Sequence, residues 1–284
     1  MISVVIPVRN EAARLPNQLD ALGAQTFEGA WEVIVADNGS TDGTAARAMA
    51  YADRLPGLQV ADASSVRGVS HARNVGASVA RGDFFLFCDA DDVVTPTWLE
   101  RMAAAAETCD AVGGRLEKLV PAKRAAAPLP VSTHDLQLWS GFLPFASGAN
   151  CGVRASLLRD LGGFDERYVS GGDDCDFFWR LQLEGHRVCF VPDAVVGYRE
   201  RVALRMVALQ FYRYGLADAR LFGDFRGRGM PSRSLLTVAR QWLHLLVLAP
   251  WYWVDRARRR QWVKSVARRI GRVGGSIRLR VWYL

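Results

Sequence analysis

The sequence predicts an α/β protein: a doubly wound, mostly parallel sheet flanked by helices, with a C-terminal helical appendage. Short apolar runs alternate with helix-patterned stretches over residues 2–89, as parallel βαβ units require. Two of those runs end in aspartate, at the strand ends where open parallel sheets bind ligands. After about residue 225 the pattern gives way to a basic, tryptophan-rich segment.

The elements follow in order. ISVVIP (2–7) is the first strand, and the stretch 11–25 carries a helical pattern. WEVIVAD (31–37) is the second strand; Thr41 or Asp42 caps the helix expected after it. LQVADA (58–63) leads into VSHARNVGASVA (69–80) and then DFFLFCD (83–89). Around 120–135 the periodicity fails and proline and alanine accumulate, the mark of a long loop serving as lid or binding surface. GANCGVRASLLRDLGGFDE (148–166) and GGDDCDFFWRLQLEG (171–185) follow.

The 284 residues suffice for one large domain with an appendage, here placed at 1–225 and 226–284. Cys88, Cys109, Cys151, Cys175 and Cys189 form no C-x-x-C pair and leave an odd count, so reduced thiols are expected. The start, MISVVIPVRNE, has neither the basic n-region nor the cleavage site of a signal peptide, and a cytoplasmic location is expected. The net charge of +7 is uneven. Residues 255–284 hold ten Lys/Arg against one acid, a net of +9, and the rest of the chain is close to neutral.

FFLFCDADDVV (84–94) carries the chemistry. Three carboxylates within four positions repel one another and are costly to bury, so a cation is expected among them. Together with IPVRNE, ADNGSTDGT and, about eighty residues on, GGDDCDFFWRL, this segment strongly resembles the family 2 glycosyltransferases, over roughly residues 1–200. The resemblance implies a GT-A fold and a nucleotide-sugar donor, with UDP-sugars favoured. It implies inverting transfer of a single sugar to an acceptor hydroxyl on a lipid-linked or envelope glycan.

Asp89-Ala90-Asp91 resembles the D-x-D motif, which implies a divalent metal, Mg²⁺ or Mn²⁺, at Asp91, with Asp89 nearer the ribose or a metal-bound water. Such cations prefer oxygen ligands and act as Lewis acids toward a diphosphate leaving group. By the same resemblance Pro7, Arg9, Glu11, Asp37, Gly68, Arg73, Asp89 and Ala90 line the nucleotide site. Turn chemistry is the plain alternative for Arg9, and dipole stabilisation of a first helical turn is that for Glu11. His71 reads as an ordinary helix histidine. In GGDDCDFFWRL, Asp174 aligns with the catalytic base and Asp173 stands beside it; a helix N-terminus would favour both on dipole grounds as well. Asp176 and Arg180 have ion-pair spacing. Asn150 resembles an acceptor contact, and Trp179 is either core or a platform for a sugar ring. No histidine follows the last expected strand, in PDAVVGYRERVALR (192–205), where many relatives place a metal ligand. Arg199 and Arg201 are therefore candidates to share the diphosphate charge.

The segment 234–254 is long and apolar but is interrupted by Arg240, Gln241 and His244 and broken by Pro250, which makes a poor membrane span. Trp242, Trp251, Trp253, Trp262 and Trp282 are interleaved with the basic residues, a mixture suited to the bilayer interface. The expectation is peripheral attachment to the inner face of the cell membrane, and no nucleic-acid partner. Two rivals remain. A catalytically inactive, transferase-like membrane scaffold would keep the fold. A haloacid-dehalogenase-type phosphatase matches D-x-D-x-[TV] at DADDV, but that motif normally follows the first strand of its domain.

Overall fold

The computed structural model describes residues 1–119, 135–169 and 171–284. The loop expected at 120–135 lies outside the described residues, apart from Asp135, as does His134. The chain divides into two compact units: Met1–Leu138, Leu143–Val169 and Asp173–Glu200 form one, and Trp139–Phe142, Ser170–Gly172 and Arg201–Leu284 the other.

The first unit opens with β1 (Ile2–Val8), α1 (Leu15–Gly23), β2 (Trp31–Asp37), α2 (Thr44–Met49), β3 (Gln59–Asp62), α3 (Val69–Val79) and β4 (Phe84–Cys88). β5 (Val93–Val94), α4 (Trp98–Ala106), β6 (Ala111–Lys118), β7 (Gln137–Leu138) and β8 (Pro144–Phe145) come next. β9 (Asn150–Arg154), α5 (Ala155–Asp160), α6 (Asp173–Leu183) and β10 (Val188–Tyr198) complete it.

The main sheet runs β3-β2-β1-β4-β9-β6-β10-β5. β1 to β4 are mutually parallel, β9 runs antiparallel between β4 and β6, and β10 is parallel to β6. Every residue of β1 and β4 is buried, as strands covered on both faces must be. Trp98, Leu99 and Met102 of α4 are fully buried against the same sheet. Each large apolar side chain so buried contributes roughly 1.5–3 kcal/mol.

Asp42 does not cap α2 from the N-cap position, which Gly43 occupies. Its carboxylate accepts from the N–H groups of Thr44 and Ala12 instead, tying the loop after β2 to the loop after β1. The expected thiol state is corrected as well. Cys109 and Cys189, 80 residues apart in sequence, form a disulfide; Cys88, Cys151 and Cys175 are free and buried. Local spacing carries no signal for a pair that only the pairing of β6 with β10 brings together.

The second unit contains α7 (Leu204–Phe225), α8 (Leu235–Val247), α9 (Ala249–Tyr252) and α10 (Arg256–Leu279). The boundary therefore falls before α7, at residue 201 rather than 226, because α7 packs along α10. Glycines set this contact: a Cβ on Gly271 would collide with the Tyr212 carbonyl, and one on Gly215 with the Arg268 carbonyl. Beside them the buried Asp218 accepts from Arg268 (Nε 2.8 Å), Arg272 (Nε 2.5 Å) and the indole of Trp139 (2.6 Å). Burial acts to raise the Asp218 pKa, and the bonds and charges of the two arginines overcome it, holding the carboxylate ionised.

Among the described residues no helix is long and apolar enough to cross a membrane.

Candidate active site

The C-terminal ends of β1, β2 and β4 and the N-terminus of α6 carry the polar groups singled out in the sequence. β1 delivers Pro7, in register with Ala36 of β2, and then Arg9, whose Nε is buried without a partner among the described residues. At the end of β2, Asp37 accepts from the backbone N–H and hydroxyl of Ser40 (2.9 and 2.6 Å). The buried Asn38 donates to the carbonyls of Ala63 and Val66 and accepts from Gly68 N–H at 3.0 Å. This fixes Gly68 at the entrance of α3, one turn before Arg73.

The three carboxylates after β4 have different fates. The side chains of Asp89 and Asp91 are 32% and 35% exposed, whereas Asp92 is 1% exposed. Asp92 accepts from Arg199 N–H at 2.8 Å, and its other oxygen has no partner among the described residues. Burial, then the charge of Asp89, pushes its carboxyl up to about 8. Arg199 also donates from Nε to the Asp91 carbonyl at 3.0 Å. Arg14 sits 2.9 Å from Glu11 and 3.8 Å from Asp91. Burial and the charge of Asp91 raise the pKa of Glu11.

Arg73 is the cation that holds the cluster. Its side chain is buried, with Nη1 donating to Asp173 at 2.5 Å and Nη2 to Asp89 at 3.3 Å. Desolvation works against its charge; Asp173 and Asp89 more than compensate, and it stays a guanidinium. Thus the segment after β4 and the start of α6 share one buried charge. Gly148 makes room for it: a Cβ there would lie 2.7 Å from Arg73 Cζ. Phe164 packs at the guanidinium's side, 5.5 Å from ring centroid to Cζ, and continues into Phe177 of α6.

Asp174, next in the helix, accepts from Gly148 N–H (3.1 Å) and Cys175 N–H (2.9 Å). Burial, then the neighbouring Asp173 carboxylate, pushes it up to about 6. A carboxylate tuned in this way is suited to accept a proton near neutral pH.

Other expected residues lie elsewhere. Asn150 is fully buried: Trp98 Nε1 donates to its Oδ1 (2.8 Å), and its amide donates to the carbonyls of Arg115 and Ala194 (both 2.9 Å). Trp179 is likewise fully buried, its indole bonded to the Leu143 carbonyl at 2.7 Å. Neither has exposed surface to offer an acceptor, so both are core residues. Ala90 is buried. Arg201 opens the second unit, and its carbonyl accepts from Arg260 at 2.6 Å. His71 lies 3.0 Å from Glu166, on the outer side of α3. Asp176 and Arg180 form the ion pair their spacing predicts, at 2.8 Å. Arg14 and Gly148 escaped attention as site residues. Arg14 stands three positions after Glu11, spacing that pairs charges within a turn; Gly148 carried no signal of its own.

No group of three or more metal-ligating side chains occurs among the described residues. The half-exposed carboxylates of Asp91 and Asp89, beside the partnerless oxygen of Asp92, nevertheless suit a hard cation. Mg²⁺ in particular takes only one or two protein carboxylates and completes its shell with phosphate and water.

A large mixed sheet with acidic groups gathered at its strand ends is the framework of the GT-A glycosyltransferases. Solved structures confirm the fold: the mannosyltransferase PcManGT from Pyrobaculum calidifontis, in complex with GDP-Man and Mn²⁺, aligns over 96% of this chain and 86% of its own with TM-score 0.66 and 20% identity. TarS 1-349 from S. aureus, in complex with UDP-GlcNAc, aligns over all of this chain and 93% of its own with TM-score 0.57 and 19% identity. In sequence, the profile of glycosyl transferase family 2 matches residues 3–162, and that of glycosyl transferase family group 2 matches residues 84–263. Glycosyltransferase AglE of Haloferax volcanii is 30% identical over 217 residues, 74% of this chain and 70% of the relative. The pre-mycofactocin glycosyltransferase of Mycobacterium tuberculosis is 31% identical over 220 residues, 72% of this chain but only 44% of the relative's length. The chain belongs to glycosyl transferase family 2, and it is a glycosyltransferase.

Proposed function

We propose that the enzyme transfers a single sugar, with inversion, from a nucleotide diphosphate sugar to an acceptor hydroxyl on a lipid-linked or envelope glycan. The observation that carries this reading is one buried cation, Arg73, bonded both to Asp89 of the D-x-D segment and to Asp173 beside the base. Such a link holds the leaving-group side and the acceptor side of a displacement in fixed relation, and positioning of this kind is a large part of catalysis.

In the reaction the acceptor oxygen attacks the anomeric carbon, the bond from that carbon to the diphosphate breaks, and the hydroxyl proton passes to the Asp174 carboxylate. Asp173, held by Arg73, lies beside Asp174 and, after burial, is the second cause of its raised basicity. Asp37, with Asn38 and Gly68 in its loop, and the β1 end with Pro7, Arg9 and Glu11 form the nucleotide side. A uridine nucleotide is the favoured donor base; the solved relatives hold UDP-GlcNAc and GDP-Man. A divalent metal, Mg²⁺ or Mn²⁺, held by Asp91 and Asp89, would supply charge neutralisation at the diphosphate. Arg199, bonded to the Asp91 carbonyl, keeps that loop in place. The basic C-terminal region would hold the enzyme at the inner face of the cell membrane, near a lipid-linked acceptor.

Calorimetric titration with UDP, GDP, dTDP and CMP, with and without Mn²⁺, tests the donor. One nucleotide is expected to bind in a metal-dependent way, with the metal dependence lost in Asp91→Ala. Binding indifferent to Mn²⁺ would shift the diphosphate role to arginine, and failure of every nucleotide to bind would refute the proposal. The anomeric configuration of the product, read by NMR, decides inversion.

A further inference from the structure

A surface helix ordinarily turns its apolar stripe inward. α8 turns Val238, Trp242 and Leu245 inward but leaves a second apolar stripe exposed. Leu235, Leu236, Leu243, Leu246 and Val247, with Trp251 of α9, are 60–71% exposed, and within α8 only Leu245 is buried. A polar stripe runs beside that face: Thr237, Arg240 and His244 are exposed and Gln241 is half-buried. Thr237, Arg240, Gln241 and His244 repeat at helical spacing and, with Arg269 of α10, line a cavity of about 250 Å³. That is smaller than the ~300–1,000 Å³ of pockets for drug-sized ligands, and suits a head group rather than a nucleotide sugar.

The cavity is cationic and uncompensated. Arg269 donates to the Ser265 carbonyl and to Gln241 Oε1 (2.9 and 3.2 Å), while its Nε is buried without a partner among the described residues. Burial, then the charges of Arg272, Arg233 and Arg268, lowers its pKa. Among the described residues of this unit the one buried carboxylate, Asp218, is already taken by Arg268 and Arg272. Neither Arg240 nor Arg269 has a carboxylate partner among the described residues. In the same unit Arg258 lies over Trp251 and Arg259 over Trp253, centroid distances 4.8 and 5.0 Å, a pairing of cation and indole suited to the head-group layer.

We propose that this cavity binds the phosphate of an anionic membrane lipid. Arg240 and Arg269 supply charge, Thr237 and Gln241 supply hydrogen bonds, and the outward apolar face of α8 and α9 enters the acyl layer. The occupant is a lipid rather than a soluble phosphate because the cationic cavity and the exposed apolar face belong to the same helix; a soluble anion leaves that face in water. The site rests on the reading that the C-terminal region meets a membrane, and it assigns that contact to a defined pocket.

The test is co-sedimentation of the full chain with phosphatidylcholine vesicles and with vesicles that also contain phosphatidylglycerol. The wild type is expected to bind the second kind. Arg256→Gln, an exposed basic residue outside the cavity, should weaken binding about fivefold, the effect of one charge near an anionic surface. Arg240→Gln should weaken it by about tenfold or more, with an unchanged melting temperature. Equal losses in the two variants would overturn the pocket while leaving membrane attachment standing. Failure of the wild type to bind either vesicle would overturn both. A concentration-dependent dimer abolished by Leu243→Ser, without vesicle binding, would make a second copy the cover of this face and also overturn the proposal.

Discussion

Asp174 shows how a residue's chemistry follows from its surroundings. Its carboxyl is pushed up to about 6 by burial and by Asp173, and only the ionised form accepts the acceptor's proton. The expected pH profile of kcat/KM is therefore flat above about 6 and falls roughly tenfold per unit below it. A profile with no acidic limb would remove Asp174 as the base. Asp174→Asn should lower kcat by ~10²–10⁴-fold with nucleotide affinity unchanged. The sign for stability is opposite to that for activity. The folded carboxyl is a weaker acid than its ordinary 3.8, so the stability it contributes is complete at low pH and declines as pH rises toward about 6. Arg73 belongs to the same scale: with two carboxylates sharing one guanidinium, its removal would strand buried charge at both.

Between elements, the α7–α10 crossing makes the sharpest claim. Replacing a glycine within a helix by alanine ordinarily stabilises by about 1 kcal/mol. At Gly271 the new methyl meets the Tyr212 carbonyl, part of a backbone that cannot turn aside. Overpacking of this kind costs ~1–3 kcal/mol or more, so Gly271→Ala should lower the melting temperature by several degrees in scanning calorimetry. A raised melting temperature would mean that the helices do not approach this closely. The same unit explains why the sequence puts the boundary after α7 rather than before it. Its amphipathic pattern is visible in sequence, but its partner, α10, lies some fifty residues downstream.

Across the whole molecule, a covalent tie and a charge imbalance stand out. The Cys109–Cys189 disulfide closes a large loop within the first unit, and such links typically stabilise by about 2–4 kcal/mol. Thiol titration of the denatured, unreduced chain should find three free thiols, and five after reduction. Five before reduction would restore the all-thiol expectation. The charge is concentrated in residues 255–284, and within the second unit Asp218 neutralises only part of it. Of what remains, Arg269 lines the cavity beside α8.

By itself the sequence determined the alternation of strands and helices, the aspartates closing β2 and β4, the acidic start of α6 and the order of segments that marks family 2. These are local signals: a hydrophobic period, a turn residue and a spacing, each readable within a dozen positions. Tertiary structure decided what the same residues do. Asn150 and Trp179 look polar and available in the chain, yet packing spends their hydrogen bonds inside the core. Arg73 lies 100 residues from Asp173 and reaches it only because the fold brings α3 and the start of α6 together. The disulfide, the boundary at residue 201 and the outward apolar face of α8 are of the same kind. Each depends on which distant element supplies the neighbour, and a one-dimensional pattern does not carry that information.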